Sequence, residues 1–285
     1  MAARAICRAG GGLIVMAAKP ASRILPWLLG SYGLCMGAGG LALILAPARA
    51  NRLEAGTSSI FVEHLAQSRG AAVLALGVIA LLAARDAGRQ RWILPGLAAS
   101  SALFAGLFLM VQLSPVAAPY RWVAVLLCTL WASGFAWQSA HGAEEIDRLP
   151  WRDPSRLLLI SFALWTGITG LLWLVAPGGL GAQLETMAGQ GAGYFAMARG
   201  AVDLPLGWLA WAARDRLRLP VALPVVAGMF VGNAALSVAG FIAQMESIAT
   251  PSRWTVELLH IVWTIGAAVI GWQLSRAGKR AVSAS

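Results

Sequence analysis

Apolar residues along this chain gather into eight blocks, and the stretches between them hold most of the charge. The blocks run roughly over 24–46, 70–84, 92–113, 122–140, 157–176, 195–213, 221–243 and 254–274. Most approach the ~20 residues that a helix needs to cross the ~30 Å hydrocarbon core of a bilayer. They lack the strict alternation of a membrane barrel. A helix satisfies its own backbone hydrogen bonds in lipid, so each block is predicted to be helical. The expected fold class is all-α and integral to a membrane, with eight transmembrane helices.

The pattern also repeats. Ala46-Pro47 returns as Ala176-Pro177, Arg69-Gly70 as Arg199-Gly200, Arg85-Asp86 as Arg214-Asp215 and Leu94-Pro95 as Leu223-Pro224. Arg121-Trp122 with Trp131 and Gly134 returns as Arg253-Trp254 with Trp263 and Gly266. The spacing stays between 129 and 132 residues throughout. Self-similarity this steady reads as an internal repeat from a gene duplication, with four spans in each copy. Four is even, so both copies insert the same way up. The expected architecture is two parallel-repeat four-helix bundles related by an axis along the membrane normal. The divisions are a leader over 1–23, a first repeat over 24–140, a polar linker over 141–156, a second repeat over 157–275 and a tail over 276–285.

Composition agrees with this pattern. The chain is 59% hydrophobic and only 12% charged, against about 25% charged in soluble domains. Its net charge of +10 does not form a stripe on a soluble face, so nucleic acid is not an expected partner. The basic residues instead flank the blocks. If the N-terminus is cytoplasmic, sixteen of the 22 Lys and Arg fall on the inner side. That bias places both termini in the cytoplasm of a cell whose inner (plasma) membrane holds the protein. Residues 1–20 resemble a weak signal peptide, but an unstructured cytoplasmic leader is the preferred reading, and Met16 is an alternative start. Cys7, Cys35 and Cys128 show no metal or redox spacing. Trp27, Trp92, Trp122, Trp151 and Trp254 stand near block ends, where an aromatic belt belongs. Gly33 with Gly37, and Thr166 with Gly170, offer small faces for helix packing within the chain.

Candidate chemistry is sparse. The second block is only 15 residues long, so its helix must extend outward through Arg69, and Arg199 is placed likewise. Each Arg either snorkels to the headgroups or makes an anion or headgroup contact on the outer face. A sharper signal comes from positions where the copies disagree. Val73, Phe104, Val125 and Cys128 correspond to Asp203, Asn233, Glu257 and His260. Polar groups inside lipid are costly and usually face the bundle interior with partners. Arg199, Asp203, Asn233, Glu257 and His260 are therefore the candidate polar pocket, in the outer half of the second repeat except for Asn233, which is placed nearer mid-membrane. The plainer reading is local pairing, since Arg199–Asp203 and Arg253–Glu257 both stand at i,i+4. Glu257-x-x-His260 has the spacing of carboxylate-bridged metal sites in helical bundles, but such sites need the motif twice. No metal is expected, and no motif indicates a cofactor. Glu54 and Glu185 fall in two long outer loops that fold back on the membrane surface or act as linkers.

The four-span layout, and Arg-Gly…Leu-Gly…Arg-Asp within the second span of each copy, resemble the DoxX-like small bacterial four-helix membrane proteins. That resemblance implies a membrane bundle and no particular reaction, and it assigns no catalytic residue. Two functional classes stay open. One is a non-catalytic subunit, scaffold or binder of a hydrophobic small molecule, with a membrane-protein partner or lipidic ligand. The other is a membrane enzyme or transporter for an apolar or lipidic substrate, using a pocket around Asp203 and His260. The leaning is toward no catalysis.

Overall fold

A computed structural model describes residues 4–9, 12–17, 23–55, 60–113, 119, 121–139, 150–177, 192–217, 220–245 and 253–283. Nine α-helices make up nearly all of it. They are α1 (Leu25–Leu45), α2 (Pro47–Ala55), α3 (Ile60–Ala84), α4 (Leu94–Gln112), α5 (Arg121–Ser139), α6 (Pro154–Val175), α7 (Ala192–Ala213), α8 (Leu223–Met245) and α9 (Arg253–Ser283). A short antiparallel hairpin, β1 (Arg4–Ala9) with β2 (Gly12–Ala17), precedes them, where the sequence suggested an unstructured leader. At the other end, α9 carries the last helix on to Ser283, through most of the expected tail. Of the expected linker, 141–149 lies outside the described residues. Its end does local work: Asp153 accepts a hydrogen bond from the Ser155 backbone at 2.9 Å and caps α6, satisfying one of the donors that a helix start leaves open.

Seven helices among the described residues are long and apolar enough to cross a membrane. Their flanks carry large apolar side chains in the open, such as Trp27 at 81% exposure and Trp137 at 71%. A soluble protein does not tolerate so much contiguous apolar surface, so this is a multi-pass membrane protein. Of the five tryptophans expected in the belt, Trp27, Trp122, Trp151 and Trp254 are exposed. Trp92 is instead buried, with the Arg216 guanidinium 4.8 Å from its ring centroid.

The core lies around α3 and α7. Helix α1 packs on α3, and α6 packs on α7 in the same way. Both contacts depend on glycine. A Cβ on Gly77 of α3 would come within 2.6 Å of the Gly37 backbone nitrogen, and one on Gly207 of α7 within 2.7 Å of the Gly167 nitrogen. Gly70 meets the Gly40 carbonyl, and Gly200 meets that of Gly170. Small residues allow such approach, which in lipid brings dispersion and backbone contacts together. The fourth helices dock back through matching side chains. Trp131 Nε1 donates to Ser31 Oγ at 3.1 Å, and Trp263 Nε1 donates to Ser161 Oγ at 3.1 Å. Tyr32 meets Trp131 edge-on at 5.4 Å, and Phe162 meets Trp263 edge-on at 5.3 Å.

The helices do not sort into two self-contained four-helix bundles. Helix α4 packs on α5 and then crosses to α7, and α8 packs on α9 and crosses to α3. Thus each pair formed by a third and fourth helix leans on the second helix of the other half. Gly228 and Gly232 explain the stronger crossing: they press α8 onto Ala71, Ala75 and Ile79 of α3. In the other crossing Gly96 of α4 meets the side chains of Trp208 and Leu209 of α7, while Ala99 and Leu103 stand at the positions matching Gly228 and Gly232.

Candidate functional site

Toward the bundle end at which α1 finishes and α3, α5, α7 and α9 begin lie Arg69, Arg199, Asp203, Glu257 and His260, and Asn233 reaches the same cavity from the middle of α8. There the two halves carry two cavities whose linings correspond at seven positions, Cys35, Met36, Gly39, Arg69, Val73, Phe104 and Cys128 in one against Trp165, Thr166, Thr169, Arg199, Asp203, Asn233 and His260 in the other. The cavity in the second half is lined by Phe162, Trp165, Thr166 and Thr169 of α6, Arg199, Asp203 and Leu206 of α7, Asn233 of α8 and His260 of α9, among others. The cavity in the first half is lined by Cys35, Met36 and Gly39 of α1, Arg69 and Val73 of α3, Phe104 and Phe108 of α4, and Arg121, Cys128 and Trp131 of α5, among others.

In the second half the expected polar residues do come together. Arg199 Nε donates to Asp203 Oδ2 at 2.6 Å, so this i,i+4 pair forms along its own helix. The same guanidinium also donates to the Ser68 carbonyl of α3, which ties α7 to α3. Asn233 Nδ2 donates to the Met229 carbonyl at 2.8 Å. His260 Nδ1 lies 3.8 Å from Glu257 Oε2. The Glu257 carboxylate is seated against Gly240 of α8, where any side chain would collide with it. The Arg253 side chain, its other expected partner, lies outside the described residues. The space among these groups is only about 30 Å³. Asp203 Oδ1 and Asn233 Oδ1, both buried, accept no hydrogen bond among the described residues. A polar cavity of that size holds one or two waters, which suits these acceptors, and leaves no space for a substrate. Among the described residues no three His, Cys, Asp or Glu side chains form a metal-ligating group.

The first half is the reverse. Its cavity has a volume of about 420 Å³, within the ~300–1,000 Å³ of small-molecule sites. Its walls are apolar apart from Arg69 and Arg121, the two charged residues among the described lining. Both are buried, at 2% and 6% exposure. Arg69 lies 5.6 Å from the Phe195 ring centroid of α7, within cation–π reach. The lining residues Cys35, Gly39 and Ala42 of α1 and Leu127 of α5 are exposed, so the cavity opens sideways through the bundle flank. Helices α1 and α5 close on each other further along, through Trp131 on Ser31 and Phe135 on Tyr32. In the second half Trp165 and Thr169 stand where Cys35 and Gly39 leave this opening. The short helix α2 covers the cavity end through Ala50. The corresponding Gly-rich loop, with Glu185, lies outside the described residues, as does the side chain of Glu54.

Sequence reasoning found the polar cluster and Arg69, but missed Arg121 and the cavity. The available signal was the same comparison of copies run the other way: Cys35, Gly39 and Cys128 are each smaller than Trp165, Thr169 and His260. The chain matches no protein-family model, and no curated protein matches it.

Proposed function

We propose that this chain is a tandemly duplicated, eight-span protein of a bacterial inner membrane that binds a lipidic small molecule in its first half and catalyses no reaction. The observation that carries the reading is the 420 Å³ apolar cavity open through the flank between α1 and α5. A hydrophobic ligand reaches such a site from the bilayer without crossing water. The eighth span is α7. It has 22 residues, enough to cross, and its hydropathy is lowered by the Arg199–Asp203 pair. That pair is tolerable because α7 is central and its charges face protein. The matched Trp–Ser bonds and glycine crossings support duplication, and an even span count per copy supports both termini on the cytoplasmic side. Each copy has the layout of the DoxX-like proteins, with its third helix also leaning on the second helix of the other copy.

The alternative, an enzyme or transporter acting at Asp203 and His260, has two unsatisfied acceptors in its favour. The space beside them is water-sized, and Asp203 is occupied by Arg199. This favours a structural role for the polar cluster and a binding role for the apolar one.

The test uses detergent-solubilised protein and a brominated stearate methyl ester, whose bromines quench tryptophan on contact. Trp131 lines the cavity. The expected result is saturable quenching in wild type that is missing from Trp131→Phe. Identical quenching in the two proteins overturns the proposal.

A further inference from the structure

The apolar lining of the open cavity is not made of ordinary core residues. Three sulfur-bearing side chains, Cys35, Met36 and Cys128, line it together with three aromatic ones, Phe104, Phe108 and Trp131. The two phenylalanines stand one turn apart on α4, and their rings stack with centroids 6.1 Å apart and planes 23° from parallel. The branched aliphatic members of the described lining are Leu43, Val73 and Leu127. The closed half lacks this chemistry. At the positions of Cys35, Met36, Phe104, Phe108 and Cys128 it has Trp165, Thr166, Asn233, Ser237 and His260. The stacked pair and all three sulfurs therefore belong to the half that has the space. Helix packing does not account for the difference, because the Trp–Ser bonds and the glycine contacts are the same in both halves.

We propose that the ligand carries an aromatic ring system that sits against Phe104 and Phe108, among the sulfurs of Cys35, Met36 and Cys128, while any alkyl substituent leaves through the opening between α1 and α5. This rests on the cavity being a lipid-binding site, and it adds the chemical class of the ligand and the side chains that select it. Contact between aromatic rings is worth more than the area it buries, and sulfur packs favourably on an aromatic ring. A saturated group of the same size gains the buried area alone. A stiff ring also gives up little conformational freedom on binding, whereas an alkyl chain must freeze its torsions.

Biphenyl and bicyclohexyl share one carbon skeleton and differ in whether the rings are aromatic. Each is added as a competitor to the brominated stearate ester, and displacement is read from the Trp131-dependent quenching. Concentrations are expressed per micelle volume, so that unequal partitioning does not enter. Biphenyl is expected to displace the ester at a concentration lower by about tenfold or more, the combined worth of two or three aromatic contacts. The double variant Phe104→Leu with Phe108→Leu should bring the two competitors within about threefold of each other, since only the ring–sulfur and Trp131 contacts remain. The ratio of the two competitors within one protein is independent of how tightly that protein holds the ester. Equal displacement by the two, or tighter binding of bicyclohexyl, overturns the aromatic ligand while leaving a lipid site in place. A full preference for biphenyl in the double variant overturns the seat on α4. Absence of Trp131-dependent quenching by the ester overturns the site itself. If the double variant does not fold, the two competitors on the wild-type protein still decide.

Discussion

Two equivalent places in one molecule have been filled in opposite ways. In the first half small side chains, Cys35, Gly39 and Cys128, leave a wide apolar cavity. In the second half Trp165, Thr169 and His260 occupy the same positions and reduce it to the size of a water. The charges follow the same division. Arg199 is matched by Asp203 and tied to α3 through Ser68, while Val73 stands where Asp203 would meet Arg69, and Arg69 and Arg121 line the cavity. The opposite end of the bundle, where α6 begins and α7 finishes, repeats the lesson. Arg156 of α6 bonds Asp215 at 3.1 Å, whereas the matching Asp86 reaches Arg89 only at 4.0 Å, on the surface. One copy is consolidated and the other is open. Each half steadies the other, because the third helix of each leans on the second helix of its neighbour.

The comparison breaks most severely at Asp203. Asp203→Val restores the first-half residue but leaves the Arg199 guanidinium buried without its carboxylate. A loss of roughly 3–5 kcal/mol is expected, as for other buried pairs stripped of one partner. Thermal unfolding in detergent measures it, and adding Arg199→Leu should recover more than half. A loss under about 1 kcal/mol in the single variant would sink the idea that this pair is structural.

Next in size is the exchange of Gly240 and Glu257. The second half seats the carboxylate of Glu257 against Gly240, and the first half has Val111 and Val125 at those positions. Gly240→Val alone overpacks the contact and should cost about 1–3 kcal/mol. With Glu257→Val as well, the site acquires the apolar pair of the first half and most of that loss should vanish. Additive losses in the unfolding experiment would show that the two copies are not interchangeable here.

How much of this was legible in the sequence depends on what each feature is made of. Helix positions follow from continuous apolar runs, and the extension of α3 beyond Arg69 follows from the shortness of its block against the bilayer. Asp203, Asn233, Glu257 and His260 could be picked out because burying polarity in lipid needs a reason, and they do gather toward one end, with Asn233 reaching in from the middle of α8. The crossing of α4 to α7 and α8 to α3 was not legible. It depends on which face of Gly228 and Gly232 meets Ala75, and a one-dimensional pattern gives no partner for a small face. The cavity was hidden for a related reason. No residue encodes a void; it arises where Gly39 and Cys35 fail to fill what Thr169 and Trp165 fill elsewhere. Arg121 was passed over because an arginine at a block end has the ordinary duty of setting orientation.

A smaller effect is expected at the start of α6. Asp153 caps that helix, and Asp153→Ala should cost ~1 kcal/mol. The start of α1 has Ile24 in the corresponding place and no side-chain cap, so Ile24→Asp should stabilise the first half by a comparable or smaller amount. Equal and negligible effects at both positions in thermal unfolding would mean that tertiary packing, not capping, sets these helix starts.

The smallest change in stability should accompany the largest change in binding. A Cβ on Gly39 would meet nothing within 4 Å, because the residue lies at the rim of the open cavity. Gly39→Leu therefore forces no backbone apart. It also replaces a poor helix former, which on propensity alone favours the helix by less than about 1 kcal/mol. Thermal unfolding should shift upward slightly or not at all, while the added side chain enters the space that Thr169 already fills in the second half. Trp131-dependent quenching by the brominated ester should weaken at least tenfold. A stable Gly39→Leu protein that binds the ester as wild type does would place the ligand elsewhere. A protein that loses stability along with binding would mean that the opening between α1 and α5 is narrower than the packing implies. Preserved stability with lost binding is the outcome that separates a vacancy kept for a ligand from loose packing, because loose packing is improved by filling and loses no function when filled.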